Sequence, residues 1–108
     1  MPNDVVAKRF AAHNAHELEQ FLSCYSSEIQ VYDYPDQPIG RQGKDHIRSI
    51  FEPLFNDKAV KTTVHQQIVK GSFVIIEETV VRRGETYEYV SIYEVEDGLI
   101  KTVRFIKG

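Results

Sequence analysis

Only one cysteine, Cys24, occurs in the 108 residues, so no internal disulfide can form, and a core position in a reducing compartment is its expected place. Long apolar runs are missing too. The longest, such as Phe73 to Ile76, fall far short of the roughly 20 residues that span a bilayer, so no membrane partner is expected. Met1 to Asn14 holds no continuous apolar stretch and carries Lys8 and Arg9 inside its helical stripe, unlike a secretory signal, and a cytoplasmic location follows as the expectation. There is no basic excess: 13 Lys and Arg stand against 16 Asp and Glu, a net charge of -3. Sequence-independent nucleic-acid binding needs a basic footprint to neutralise phosphates, and the one basic doublet, Arg82-Arg83, sits by a turn and is answered by Glu85. His13, His16, His46 and His65 have no metal-ligand spacing and no HExxH or CxxC beside them, so no metal is expected. No Gly-rich phosphate loop, repeat, linker or low-complexity segment is found. No cofactor is expected.

What is present reads as one small globular domain, 1–108, with 42% hydrophobic and 27% charged residues. Val6 and Phe10, then Leu18, Phe21, Leu22 and Tyr25, recur at three- and four-residue steps and predict two helices broken near Asn14-Ala15-His16. Pro2, Asn3 and Asp4 suit the first helix start, where an acid is favourable. Ile29, Val31, Tyr32 and Tyr34 predict a strand that Pro35 and Pro38 end, because proline cannot donate to a ladder. Gly40 and Gly43 punctuate the next crossing. Ile47, Ile50, Phe51, Leu54 and Phe55 predict a third helix, kinked or finished by a short turn at Pro53 and ended by Asn56-Asp57.

From Val60 the period changes to two. Val60, Val64 and Ile68 mark one strand, Gly71-Ser72 a turn, and Phe73 to Val81 the next strand. Arg83-Gly84 leads back through Thr86 to Val95, and Asp97-Gly98, the strongest hairpin signal, leads into Leu99 to Ile106. Helices first and an antiparallel meander last is an α+β order.

The turns set registers, and registers decide which side chains share a face. With Arg83-Gly84 as a two-residue loop, Arg82 pairs with Glu85, Val80 with Tyr87, Glu78 with Tyr89 and Ile76 with Ser91. A slip by one would oppose Glu78 to Glu88, which is unfavourable. With Asp97-Gly98 as the next loop, Arg104 falls opposite Ser91 and Thr102 opposite Tyr93. One face then collects Glu78, Tyr87, Tyr89, Ser91, Tyr93 and Arg104 among Val74, Ile76 and Ile100. The other carries Phe73, Ile75, Val81, Val90, Ile92, Val103 and Phe105, too apolar for open solvent. Helices can cover one face only, so the second is expected to form a homodimer interface.

The spacing from Tyr25 to Asp33, the glycine-ended arch, the Ile47-Arg48 helix and the YEVEDGLIKTV ending at Tyr93 to Val103 resemble the nuclear transport factor two superfamily, in its SnoaL-like and ketosteroid isomerase-like branch. The resemblance covers nearly the whole chain. It implies an α+β cone of the cystatin-like kind: a curved, mainly antiparallel sheet wrapping three helices from the N-terminal half around an internal pocket. It also implies that the position of Ser91 points into the pocket, which makes the Glu78 face the concave one, and that the sheet bends through β-bulges. A single bulge would reverse the facing of Arg104.

In the isomerase branch an Asp at the place of Asp33 is the general base. The alternative for Asp33 is a turn-forming acid before Pro35. Departures from that branch are plain: no Tyr precedes Tyr25, Phe10 or a neighbour stands where its helix-one Tyr would be, and Ser91 replaces its second Asp. The oxyanion device is missing, so developing charge would fall to Tyr87, Tyr89 or Arg104, and steroid isomerisation is not expected. The resulting expectation is a protein that binds a small, mostly apolar molecule, with Asp33 as catalytic residue and Glu78, Tyr87, Tyr89, Ser91 and Arg104 as ligand-binding residues. If it is an enzyme, it is a cofactor-free isomerase, cyclase or hydratase. The rival is a non-catalytic ligand-binding or interaction module.

Overall fold

The computed structural model describes residues 1–39 and 43–107. Along these, α1 (Pro2–Ala15), α2 (Leu18–Leu22) and β1 (Tyr25–Asp33) are followed by β2 (Gln37–Pro38) and α3 (Lys44–Asn56). Then come β3 (Val60–Lys70), β4 (Phe73–Arg82), β5 (Glu85–Glu96) and β6 (Leu99–Lys107). The expected break between the first two helices is there: His16 turns the chain with φ 58° and closes α1. Pro53 lies inside α3, which continues to Asn56. The expected glycine punctuation at Gly40 lies outside the described residues. Among those residues, no helix is long and apolar enough to cross a membrane.

All six strands belong to one sheet in the order β2-β1-β6-β5-β4-β3. Tight turns build its antiparallel part: Arg83 and Gly84 both take positive φ (49° and 82°), as do Asp97 and Gly98 (54° and 76°), the backbone that matches the twist of two-residue hairpins. The register between β4 and β5 is the expected one, with Glu78 opposite Tyr89, Ile76 opposite Ser91 and Val80 opposite Tyr87. Two pairings go beyond the sequence reading. β1 pairs in parallel with β6, Val31 opposite Val103 and Asp33 opposite Phe105. Pro38 does not lie beyond the ladder; it sits in the short edge strand β2 opposite Tyr32, a place that needs no donor on its outer side.

The expected register between β5 and β6 holds only at the turn. Glu96 faces Leu99 and Val95 faces Ile100, but Glu94 then faces Thr102, so Lys101 is an extra residue. That bulge moves the rest of β6 by one, which reverses the facing of every later side chain. Arg104 therefore lies opposite Ile92, and Thr102 opposite Glu94, whereas Ser91 faces Phe105 and Tyr93 faces Val103. Val103 and Phe105 join the inner face and Arg104 joins the outer one, the reverse of the alternation counted from the turn.

The concave face packs on the helices. Val6, Phe10, Phe21, Ile29, Ile76, Tyr93 and Ile100 form the buried centre with Cys24 among them. The end of α1 is tied to β3 by Asn14, which donates from Nδ2 to the Thr62 carbonyl (2.9 Å) and accepts from the Thr62 amide (2.8 Å). His16 Nε2 lies 2.6 Å from the Val60 carbonyl oxygen, which can only accept, so this nitrogen carries the proton. On the convex face Ile75, Val90 and Ile92 are half-buried, and Ile68, Phe73, Val81 and Ile106 are exposed.

Candidate functional site

Between the concave face and the helices lies a cavity of about 210 Å³. Its walls are mostly apolar: Val31 from β1, Ile47, Ile50 and Phe51 from α3, Val60 and Val80 from β3 and β4, Val103 and Phe105 from β6. Polar side chains enter at two ends. Arg9, Tyr25, Glu78 and Tyr93 come together in the buried interior, and Arg82, Tyr89 and Lys107 surround the opening.

The interior group is built around two charges that almost never face water. Arg9 is 5% exposed and Glu78 3%. Arg9 lies on α1 three residues after Val6 and one before Phe10, inside the buried stripe of the helix. Its guanidinium is sandwiched among rings, with Cζ 4.5 Å from the Phe10 centroid, 5.0 Å from Phe21 and 5.6 Å from Tyr93. Arg9 Nε donates to the Tyr25 hydroxyl at 2.9 Å, while Nη1 is buried without a hydrogen-bond partner. Burial opposes the charge on Arg9, but Tyr25, Tyr93 and Glu78 together outweigh it and hold its pKa above the usual value.

Glu78 is fully engaged. Thr62 Oγ1 donates to its Oε1 at 2.9 Å and Ser91 Oγ to its Oε2 at 2.6 Å, so β3, β4 and β5 each contribute one member of this chain of bonds. Ser91 therefore positions Glu78 and does not itself line the cavity. Burial pushes the Tyr25 and Tyr93 phenols up, so both stay protonated near neutrality. The Tyr93 hydroxyl is buried without a hydrogen-bond partner, with Ser91 alongside. His13 is buried among the rings of Phe21, Phe51 and Phe55, at 5.7 to 6.0 Å. Burial, then the field of Arg9, lowers its pKa to about 3, so the imidazole is neutral.

At the opening, Arg82 donates from Nη2 to the Tyr89 hydroxyl (2.8 Å) and lies 4.5 Å above the Tyr87 ring. Tyr89 lines the cavity; Tyr87, stacked beside it, does not. Asp33 shares a side with Val31 two residues earlier and with its partner Phe105 on β6, so it points inward at the end of the strand. Its Oδ1 lies 3.0 Å from Lys107 Nζ, and Lys107 lines the cavity although Asp33 does not.

Arg104 is outside. From the convex face it donates to the Pro35 carbonyl (3.0 Å), pairs with Asp36 (3.3 Å) and lies 4.8 Å from the Tyr32 ring. It clamps the turn after β1 and has no place in the cavity. Of the residues expected from sequence, Glu78 and Tyr89 line the cavity, Asp33 and Tyr87 flank its opening, Ser91 stands behind Glu78, and Arg104 is remote. Arg9, Tyr93, Arg82 and Lys107 were not singled out as ligand contacts. The signal for Arg9 was available: a charged residue in the apolar stripe of a helix must be buried with partners or aimed at a cavity. Among the described residues, no group of three or more His, Cys, Asp or Glu side chains could hold a metal ion.

Residues 6–103 match the model of the SnoaL-like domain family. An uncharacterised cystatin-fold protein from Novosphingobium aromaticivorans superposes with TM-score 0.87 at 21% identity, covering 98% of this chain and 97% of that one. An NTF2-like protein of unknown function from Cytophaga hutchinsonii gives 0.86 at 18% identity, over 100% of this chain and 90% of that one. A candidate ketosteroid isomerase from Kribbella flavida gives 0.81 at 18% identity, over 99% and 77%. Likeness at these identities speaks to fold and not to chemistry. Among curated proteins, none matches the chain.

Proposed function

The chain belongs to the SnoaL-like domain family, and from that premise we propose that it binds a small, mostly apolar molecule carrying one or two polar groups. The observation that carries this reading is the cavity itself: apolar walls closed at one end by buried polar groups that include two atoms without a hydrogen-bond partner, Arg9 Nη1 and the Tyr93 hydroxyl. In the catalytic form of the proposal Asp33 takes a proton from the bound molecule at the opening, without a cofactor, as an isomerase, cyclase or hydratase would require. Support for Asp33 is its inward direction beside Phe105 and the Arg104 clamp that holds the following turn. Tyr89, held by Arg82, orients the ligand from the same end.

One observation favours binding without turnover. Glu78 accepts from two hydroxyls and Asp33 faces Lys107, so each of these acids already has a partner within the chain. Two substitutions separate the readings. Val80→Phe fills the cavity and is expected to abolish binding of apolar molecules seen with the unaltered protein by ligand-observed NMR. Binding that survives it, or no binding by either, overturns the cavity reading. Asp33→Asn keeps size and removes the base: turnover collapses if Asp33 is catalytic, whereas a binding module shows only a modest change in affinity.

The convex face supports a homodimer, now without Phe105, which points inward. Ile75, Val90, Ile92 and Ile106 lie in adjacent register on three strands. Sedimentation is expected to give a dimer at micromolar concentration and Ile92→Glu a monomer or aggregate; a monomeric unaltered protein sinks this part of the proposal.

A further inference from the structure

Donors and acceptors are out of balance around the cavity. Each carboxylate oxygen of Glu78 already accepts one hydrogen bond, from Thr62 and from Ser91. Of the buried atoms left without a hydrogen bond, three can donate: Arg9 Nη1 and the Tyr93 hydroxyl in the interior, and Arg82 Nε nearer the opening; the fourth, the acceptor Asp33 Oδ1, lies 3.0 Å from the Lys107 ammonium. Charge is unbalanced in the same sense. Arg9, Arg82 and Lys107 line the cavity against Glu78, and counting Asp33, which neutralises Lys107, still leaves three cations to two anions among the described residues. Orphaned buried donors are costly, and a ligand that accepts from them recovers that cost on binding.

Resting on the reading that the cavity binds a small molecule, we propose that this molecule is an apolar monocarboxylate, seated with its carboxylate in the interior against Arg9 Nη1 and the Tyr93 hydroxyl. Two donors meet the two oxygens of a carboxylate. One surplus positive charge matches one negative charge, which disfavours a phosphate carrying two. Val31, Ile47, Val80 and Val103 form an apolar stretch of wall that accepts a hydrocarbon body. The guanidinium's position among Phe10, Phe21 and Tyr93 keeps it fixed before the ligand arrives, so little ordering is left to do.

The experiment pairs acids with alcohols of the same shape: phenylacetate with 2-phenylethanol, hexanoate with hexanol, and cyclohexanecarboxylate with cyclohexylmethanol, each titrated calorimetrically into the intact protein at pH 7. In at least one pair the acid is expected to bind about tenfold or more tightly than the alcohol, the scale of a charge-assisted hydrogen bond in a dry site. Arg9→Met should erase that preference by weakening the acid about tenfold more than the alcohol of the same shape, and Tyr93→Phe should reduce it severalfold if Arg9→Met does not fold. Alcohols binding as tightly as their acids, or a preference that survives loss of Arg9, overturns the carboxylate assignment and leaves the cavity reading standing. If no acid and no alcohol binds, both fall together.

Discussion

The interior and the opening of the cavity hold the same kinds of side chain, arginine, tyrosine and a carboxylate, under opposite physical conditions. Inside, Glu78 and Arg9 are out of water, and each is held by hydroxyl groups and rings from several elements. At the opening, Asp33 and Lys107 form a pair whose side chains are 40% and 55% exposed. A charge in water forms a pair for little net gain, whereas a buried charge deprived of its partners is left with an uncompensated desolvation penalty. The interior is thus the part of the site that the fold cannot alter cheaply. The opening is the part where chemistry can change without endangering the fold.

Glu78→Ala should show the difference most strongly. It orphans the Ser91 hydroxyl, leaves Thr62 Oγ1 only its longer bond to the Thr79 carbonyl (3.3 Å) and removes the attractive field on Arg9, and a loss of about 3 kcal/mol or more in urea unfolding is expected. A loss below about 1 kcal/mol would mean that the interior is wetter than its geometry indicates.

His13 sharpens the comparison through pH. Its folded pKa, near 3, lies below the ordinary 6.5, so between those values the unfolded chain binds the extra proton and stability falls as pH falls. At pH 5 the loss from this group is about 2 kcal/mol relative to pH 8, and above about pH 7 it vanishes. His13→Phe should flatten that part of the stability profile. An unchanged slope would transfer the acid sensitivity to other groups.

The smallest effect belongs to the opening. Asp33→Asn should cost no more than about 1 kcal/mol, and added salt should weaken the original pair while leaving the Glu78 variant's deficit in place. A large folding defect in Asp33→Asn would erase the contrast and make this acid structural.

How far the site could be read in advance varies along the sheet. Glu78 opposite Tyr89 was legible because Arg83-Gly84 is a turn with one good geometry, and local chemistry propagates along a regular ladder. Arg104 was not, because the extra residue at Lys101 answers the curvature of the whole sheet and leaves no mark in its neighbours' identities. The parallel pairing of β1 with β6 joins residues some seventy positions apart, beyond what any turn signal specifies.

The amino-acid sequence by itself determined the element order, the hairpin turns, the buried stripes and the membership of the SnoaL-like family, since these rest on short-range periodicity, backbone preference and pattern. Only the tertiary structure decided that Arg9 and Tyr93 meet Glu78 in a cavity while Arg104 clamps a turn from outside. The physical reason is that a side chain's surroundings are set by which distant elements pack over it, and one bulge in a bent sheet is enough to move a charge from one face to the other.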